Sequence, residues 1–204
     1  MKILNLYAGI GGNRKLWGDE HEITAVELNP EIAKIYQDLF PNDKVIVADA
    51  HEYLLEHFKE FDFIWSSPPC PTHSRLRFQQ SKIRSDVYEM KYPDMKLYQE
   101  IILLKHYFKG KYVVENVKSY YDPLIKPQES ERHYFWCNFI IDKRKAKEDV
   151  VIRNISTNDT VFGFNISKYS LNSLDKRVIL RNLVNPKLAL SIFNSAFKEK
   201  QKTL

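Results

Sequence analysis

The stretch ILNLYAGIGG, residues 3–12, reads as a short buried strand, Ile3–Tyr7, that breaks into a glycine-rich turn. Glycines let the backbone turn tightly and approach a ligand, and a helix expected after the turn offers its N-terminal amides. The same arrangement, a strand that stops at a polar motif, recurs downstream. Ile23–Val26 ends at Glu27, Val45–Ala48 at Asp49, Phe61–Trp65 at SSPPC (66–70), and Tyr112–Val114 runs into ENV (115–117). Between them, Asn29 and Pro30 open a helix with Ile32, Ile35, Tyr36 and Leu39 at helical spacing, closed by Pro41. A second helix, from about Asp94 to Phe108, carries Leu97, Ile101, Leu104 and Phe108 on one face before Gly110 breaks it. This alternation predicts an α/β fold: a mostly parallel, Rossmann-like sheet with helices on both faces. Such sheets bind ligands outside the carboxyl ends of their strands, so five motif-bearing ends point to one shared site.

Beyond that core the chain changes character. His133–Ile141 and Val150–Ile155 read as strands on either side of DKRKAKED (142–149), which reads as a solvated turn rather than a binding patch. A last helix from about Pro186 to Phe197 precedes a polar tail, KEKQKTL, expected to fray. A length of 204 residues suits one domain with its own core. Two cysteines cannot build a disulfide framework and the six histidines are scattered, so no structural metal is expected. No apolar run approaches the roughly 18–20 residues of a membrane span, and no secretory signal opens the sequence, which leads us to expect a cytoplasmic protein without a membrane partner. The net charge of +5 favours a nucleic-acid partner without requiring one.

Alone, AGIGG is a weak signal, shared by nucleotide or nucleoside sites and ordinary tight turns. Glu27 lies where an acid grips ribose hydroxyls in dinucleotide folds, or serves as a capping or surface glutamate. Asp49 adds a second acid, able to accept from an adenine amino group. The glycines are not followed by the lysine of a phosphate-binding loop, so S-adenosylmethionine fits better than a triphosphate or a dinucleotide.

SSPPCPTHS (66–74) carries the chemistry: two prolines set a rigid extended turn and present Cys70 at the mouth of the pocket. Cys137, inside YFWCNF, reads instead as ordinary core. Carbon-5 of a pyrimidine is too poor a nucleophile to take a methyl group unaided. Addition of a thiolate at carbon-6 makes it one, and an acid at ring nitrogen 3 relieves the charge that builds up. Glu115 is placed to be that acid, the alternative being a capping glutamate at a strand-to-helix turn.

The order YAGIGG, AVELNP, VADA, SPPC, VVENV, PQESER and RNLVNP resembles the cytosine carbon-5 DNA methyltransferases over nearly the whole chain. The resemblance implies S-adenosylmethionine as cofactor and a flipped cytosine in DNA as substrate. By matching position, Tyr7, Gly9, Ile10 and Gly11 form the cofactor loop, Glu27 binds the ribose and Leu28 flanks the adenine. Asp49, followed by Ala50, accepts from the adenine amino group, and Asn182 contacts the cofactor. Cys70 becomes the nucleophile with Pro69 its rigid neighbour, Glu115 the base-recognising acid, and Arg132 the arginine that assists at the pyrimidine carbonyl. The implied organisation is a catalytic and cofactor core (1–141), a reduced target-recognition region or connecting loops (142–175), and a C-terminal helix completing the catalytic domain (176–204). A restriction-modification setting in a bacterial or phage-infected cell fits that family.

Three departures stand out. PCQ is here PCP, with Pro71 at the start of the mobile catalytic loop; the first arginine of the QxRxR pattern is Ser130; and only about 35 residues separate the strand near Ile140 from the C-terminal motif near Lys176, less than the family's recognition domain needs. The segment RLRFQQSKIR (75–84), with Arg75, Arg77, Lys82 and Arg84 and no acid, reads as a loop that contacts phosphates as it closes over a flipped base, or as a plain solvated loop. Target choice then falls to a partner subunit or a second copy of the chain. Three rivals stay open: an amino-methyltransferase, since SSPPC resembles the turn of those enzymes; an RNA (tRNA) cytosine-5 methyltransferase; and a non-catalytic DNA-binding subunit.

Overall fold

The computed structural model describes residues 1–86, 89, 91–142, 160–171 and 175–198. Seven strands form one sheet: β1 (Lys2–Leu6), β2 (Glu22–Glu27), β3 (Lys44–Val47), β4 (Phe63–Ser66), β5 (Lys111–Val117), β6 (Gln128–Ser130) and β7 (His133–Cys137), in the order β3-β2-β1-β4-β5-β7-β6. The first five run parallel, β7 lies antiparallel to β5, and β6 antiparallel to β7. The helices are α1 (Pro30–Leu39), α2 (Ala50–His57), α3 (Arg75–Ile83), α4 (Lys96–Tyr107), α5 (Lys176–Arg181) and α6 (Pro186–Ala196). The fold is the expected Rossmann-like sheet covered on both faces. Among the described residues no helix is long and apolar enough to cross a membrane.

Strand alternation sorts the core into two layers. Leu4, Leu6, Ile64, Tyr112 and Val114 face α2 and α4, packing on Leu54, Leu97, Ile101 and Leu104. Ile3, Ile23, Phe63, Trp65 and Val113 face the other way, onto Leu188, Ile192 and Phe193 of α6. Phe193 stacks on Trp17, with centroids 5.2 Å apart, so α6 seals that face through an aromatic cluster. The turn after β1 is anchored from below: Ile10 packs with Ile35 of α1, with Ile179 and Leu180 of α5, and with Val161, Phe164 and Ile166. Residues 160–171, the described part of the short region between the catalytic motifs, therefore lie against the glycine loop.

A polar cluster fixes the same corner. Buried Arg14 makes a two-pronged ion pair with buried Asp43, Nε to Oδ2 at 2.9 Å and a terminal nitrogen to Oδ1 at 3.1 Å, and the Tyr36 hydroxyl donates to Asp43 at 2.8 Å. Beside it, Asn13 donates to Asn5 of β1 at 2.6 Å. Each buried charge here has its partner, which is the condition for tolerating it.

Several boundaries differ from the sequence reading. β5 does not stop at Val114 but continues through the ENV motif, because Glu115, Asn116 and Val117 pair with Phe135, Tyr134 and His133 of β7. The strand expected to reach Ile141 ends at Cys137, since the Gln128 side chain takes over the backbone beyond it, donating to the Phe139 carbonyl at 2.6 Å and accepting from the Ile141 amide at 3.0 Å. Basic segment 75–84 is no loop: it forms α3, capped by the Ser74 hydroxyl on the Arg77 amide, because it holds neither proline nor glycine. The helix expected after the glycine turn is only a single 3-10 turn, Arg14–Leu16, followed by Gly18 at φ 86°; α2, α5 and β6 add to the sequence reading. The expected strand Val150–Ile155, nearly all of DKRKAKED and the end of the polar tail lie outside the described residues.

Candidate active site

The five parallel strands deliver their motifs to one edge, as the fold requires. Tyr7 leaves β1 in the left-handed region (φ 54°), followed by Gly9 (φ 55°) and Gly11 (φ 84°). A side chain at Gly9 would meet nothing within 4 Å, so open space lies above this backbone, whereas one at Gly11 would run into Phe40 and Tyr36. Gly9 thus faces a prospective ligand, and Gly11 serves packing. Glu27 joins the loop to the next strand, its carboxylate accepting from the Gly9 amide and the Asn29 amide, each at 3.0 Å. Each oxygen keeps a further lone pair for a hydroxyl donor. Leu28, beside it, is 66% exposed, an apolar surface with nothing over it.

Asp49 caps α2 through Oδ1, which accepts from the His51 and Glu52 amides, while Oδ2 lies 3.7 Å from Lys96 Nζ. Partial burial opposes its ionisation, but the two amides and Lys96 outweigh that and lower its pKa. Ile10 and Ala50 turn their side chains into the core, leaving only their backbone for the site. Asn182 stands exposed at the C-cap of α5, and the following Leu183–Val184 lie against Gly12, where a Cβ would come within 2.8 Å of the Val184 carbonyl oxygen. The cations after the glycines are both engaged elsewhere: Arg14 with Asp43, and Lys15 with the Phe162 carbonyl at 2.7 Å. An open, glycine-floored cradle with two acids, where Lys96 is shared between Asp49 and Glu52, fits a nucleoside better than a phosphate.

On the other side of this cradle, β4 ends level with Val114, so the last three residues of β5 project past it beside the SPPC turn. The Asn116 amide donates to the Pro68 carbonyl at 3.0 Å, fixing the root of that turn. After Pro69, which is exposed, the chain closes tightly, with the His73 and Ser74 amides both donating to the Cys70 carbonyl at 3.0 Å. Burial, with the Glu115 charge adding to it, pushes the Cys70 thiol up to about 11. The nucleophile and acid named from the sequence are therefore electrostatic neighbours, and the resting sulfur is a thiol at neutral pH.

Arg132 behaves differently. It sits exposed on the turn between β6 and β7, where its carbonyl accepts from the Lys118 amide. The side chain that reaches Glu115 is that of His133, with Nε2 3.6 Å from Oε1. Ser130, which stands where a first arginine was expected, is buried, and its hydroxyl donates to the Asp142 carbonyl. Of the four basic residues in 75–84, Arg75 donates to the Ser119 carbonyl at 2.7 Å and Lys82 lies over the Phe78 ring. Phe78 in turn stacks on Tyr120 at 4.0 Å, docking α3 against the chain that leaves β5. Arg77 is half-buried along this helix, and Arg84 lies 3.9 Å from Asp86. Cys137 is half-buried at the edge of the α6 layer, as its apolar surroundings imply. A cavity of about 660 Å³ between Phe58 and Gly110 opens by the amino end of β5, away from all of these motifs.

Sheet order, glycine cradle and acid-tipped strands together fit an S-adenosylmethionine-dependent methyltransferase. The chain matches the C-5 cytosine-specific DNA methylase family over residues 1–132, and it belongs to that family. Among solved structures it is similar to DNMT2 of Spodoptera frugiperda, at 20% identity over 73% of this chain and 55% of that one, with a TM-score of 0.44. It is also similar to the methyltransferase EhMeth of Entamoeba histolytica, at 14% identity over 79% and 62% of the two chains, with a TM-score of 0.42. No curated protein matches it.

Proposed function

We propose that this protein methylates carbon-5 of a cytosine turned out of a DNA duplex, with Cys70 as nucleophile and Glu115 as the acid at ring nitrogen 3. The observation that carries the reading is the placement of Glu115 beside the Cys70 turn, close enough for its charge to act on the thiol. S-adenosylmethionine, when bound, supplies an electrophilic methyl group. The backbone at Gly9, the Glu27 and Asp49 carboxylates, the Tyr7 ring and the exposed Leu28 would hold it, with Asn182 at the rim. Cys70 gives up its proton to solvent as its sulfur bonds to carbon-6, and the ring electrons shift so that nitrogen 3 takes a proton from protonated Glu115. Carbon-5, now nucleophilic, takes the methyl group; its hydrogen then leaves as a proton to solvent, the carbon-5–carbon-6 double bond re-forms as the sulfur departs as thiolate, and nitrogen 3 returns its proton to Glu115. Arg132, on its exposed turn, is assigned to the pyrimidine carbonyl once the base is seated.

Arg75, Arg77, Lys82 and Arg84 line the approach as phosphate contacts, which give affinity but no sequence choice. The short region 142–175 is then a reduced recognition element, and a second copy or a partner subunit completes target selection. The test is methyl transfer from labelled S-adenosylmethionine to mixed-sequence duplex DNA and, in parallel, to tRNA, with nucleoside mass analysis. The expected product is 5-methylcytosine in DNA, abolished by Cys70→Ala. N4-methylcytosine or N6-methyladenine would overturn the nucleophile assignment, and label confined to tRNA would change the substrate.

A further inference from the structure

Glu100 lies midway along α4 and is fully buried, the one ionised side chain on an inward face otherwise made of Leu97, Tyr98, Ile101 and Leu104. One of its oxygens accepts from the Tyr7 hydroxyl at 2.6 Å and lies 3.1 Å from His51 Nδ1; the other accepts from the Ser66 hydroxyl at 2.6 Å. These three partners stand at the end of β1, the start of α2 and the end of β4. They are the roots of the glycine loop, of the segment headed by Asp49, and of the Cys70 turn. A carboxylate taken out of water is costly even when paired, and a well-packed apolar side chain commonly serves stability as well or better. Tyr7 adds to the cost, because a non-glycine residue at φ 54° occupies a disfavoured backbone region.

We propose that Glu100 is a positioning residue for the cofactor. Its carboxylate pins the Tyr7 ring as a wall of the nucleoside pocket and locks that wall to the start of α2 through His51 and to the end of β4 through Ser66. The inference rests on reading the glycine loop as the cofactor site, and it assigns a role to a residue outside that loop. A merely structural Glu100 would lower stability without acting selectively on ligand affinity.

The experiment compares wild type, Tyr7→Phe, Glu100→Gln and the double variant by calorimetric titration with S-adenosylhomocysteine, with thermal unfolding followed on the same samples. Tyr7→Phe keeps the ring and removes only the hydroxyl, and should weaken binding by roughly tenfold, as expected for losing a hydrogen bond to a buried charged group. Glu100→Gln still offers Tyr7 an acceptor and should weaken binding by a smaller factor. The double variant should lose no more than Tyr7→Phe alone, since the two residues act through one bond. In turnover, the cofactor KM should rise by more than kcat falls. Unchanged affinity in folded Tyr7→Phe, or additive losses in the double variant, would overturn the positioning role while leaving the cofactor site in place. Absence of binding by the wild type would overturn both; if Glu100→Gln does not fold, Tyr7→Phe decides alone.

Discussion

Cys70 starts from an unreactive state, because burial and the Glu115 charge hold its pKa near 11. Alkylation of Cys70 by iodoacetamide, followed by peptide mass analysis, should therefore be slow at neutral pH and rise toward a midpoint near 11. Glu115→Gln should move that midpoint down, since a removed negative charge no longer disfavours the thiolate; an unmoved midpoint would separate the two residues. Two buried histidines act in opposite directions on stability. The hydrogen bond to Glu100 raises the pKa of His51, so its contribution is full below the ordinary value of 6.5 and is lost as pH rises through the raised value. Burial lowers the pKa of His73, which penalises folding as pH falls below 6.5. Denaturant melts between pH 5.5 and 8.5 should show His51→Gln losing most stability at the acid end and His73→Gln losing least there. The meeting of Cys70 and Glu115 at one sheet edge was legible because SSPPC follows β4 and ENV closes β5, each a motif with its own chemistry. Glu100 was not noticed, yet it had a signal: it falls on the apolar stripe of α4, between Leu97 and Leu104, where an acid needs a reason. His133 had none, since only the pairing of β5 with β7 brings it diagonally across from Glu115.

Among the elements, α3 departs most from expectation. Its composition says basic and polar, and composition alone cannot distinguish an exposed loop from a helix held by one aromatic stack. Because Arg75 is bound to the Ser119 carbonyl while Lys82 and Arg84 lie exposed, their substitutions should differ. Lys82→Ala and Arg84→Ala should each reduce the slope of log affinity for DNA against log salt by about 1 without changing thermal stability. Arg75→Ala should lower stability as well, and equal behaviour of all three would contradict the docked helix. The corner built by α1 carries a larger stake. Asp43→Ala removes the two-pronged buried carboxylate of Arg14, leaving it only its single contact with exposed Asp19, and removes the acceptor of Tyr36; it should cost about 3 kcal/mol in denaturant unfolding. The helices α1, α4 and α6 were readable from apolar spacing. α2 and α5 are short, and β6 forms only because β7 is there to pair with it.

At the scale of the whole molecule, the sheet needs α6 as much as its own strands, since Phe193 meets Trp17 and Phe63 in the layer that α6 covers. Phe193→Ala should cost about 3–5 kcal/mol and lower the melting temperature by roughly 10 °C, which the buried Trp17 and Trp65 make readable by fluorescence. The alternating strand–helix pattern made the architecture legible, but not the way residues 160–171 tuck beneath the glycine loop, which depends on contacts between distant parts of the chain. One such contact is that between Gly12 and Val184. During synthesis the glycine loop emerges long before Val184, so a nascent chain carries that loop without this brace until Val184 appears. The shape of the loop is thus completed only after most of the sheet has had time to pair.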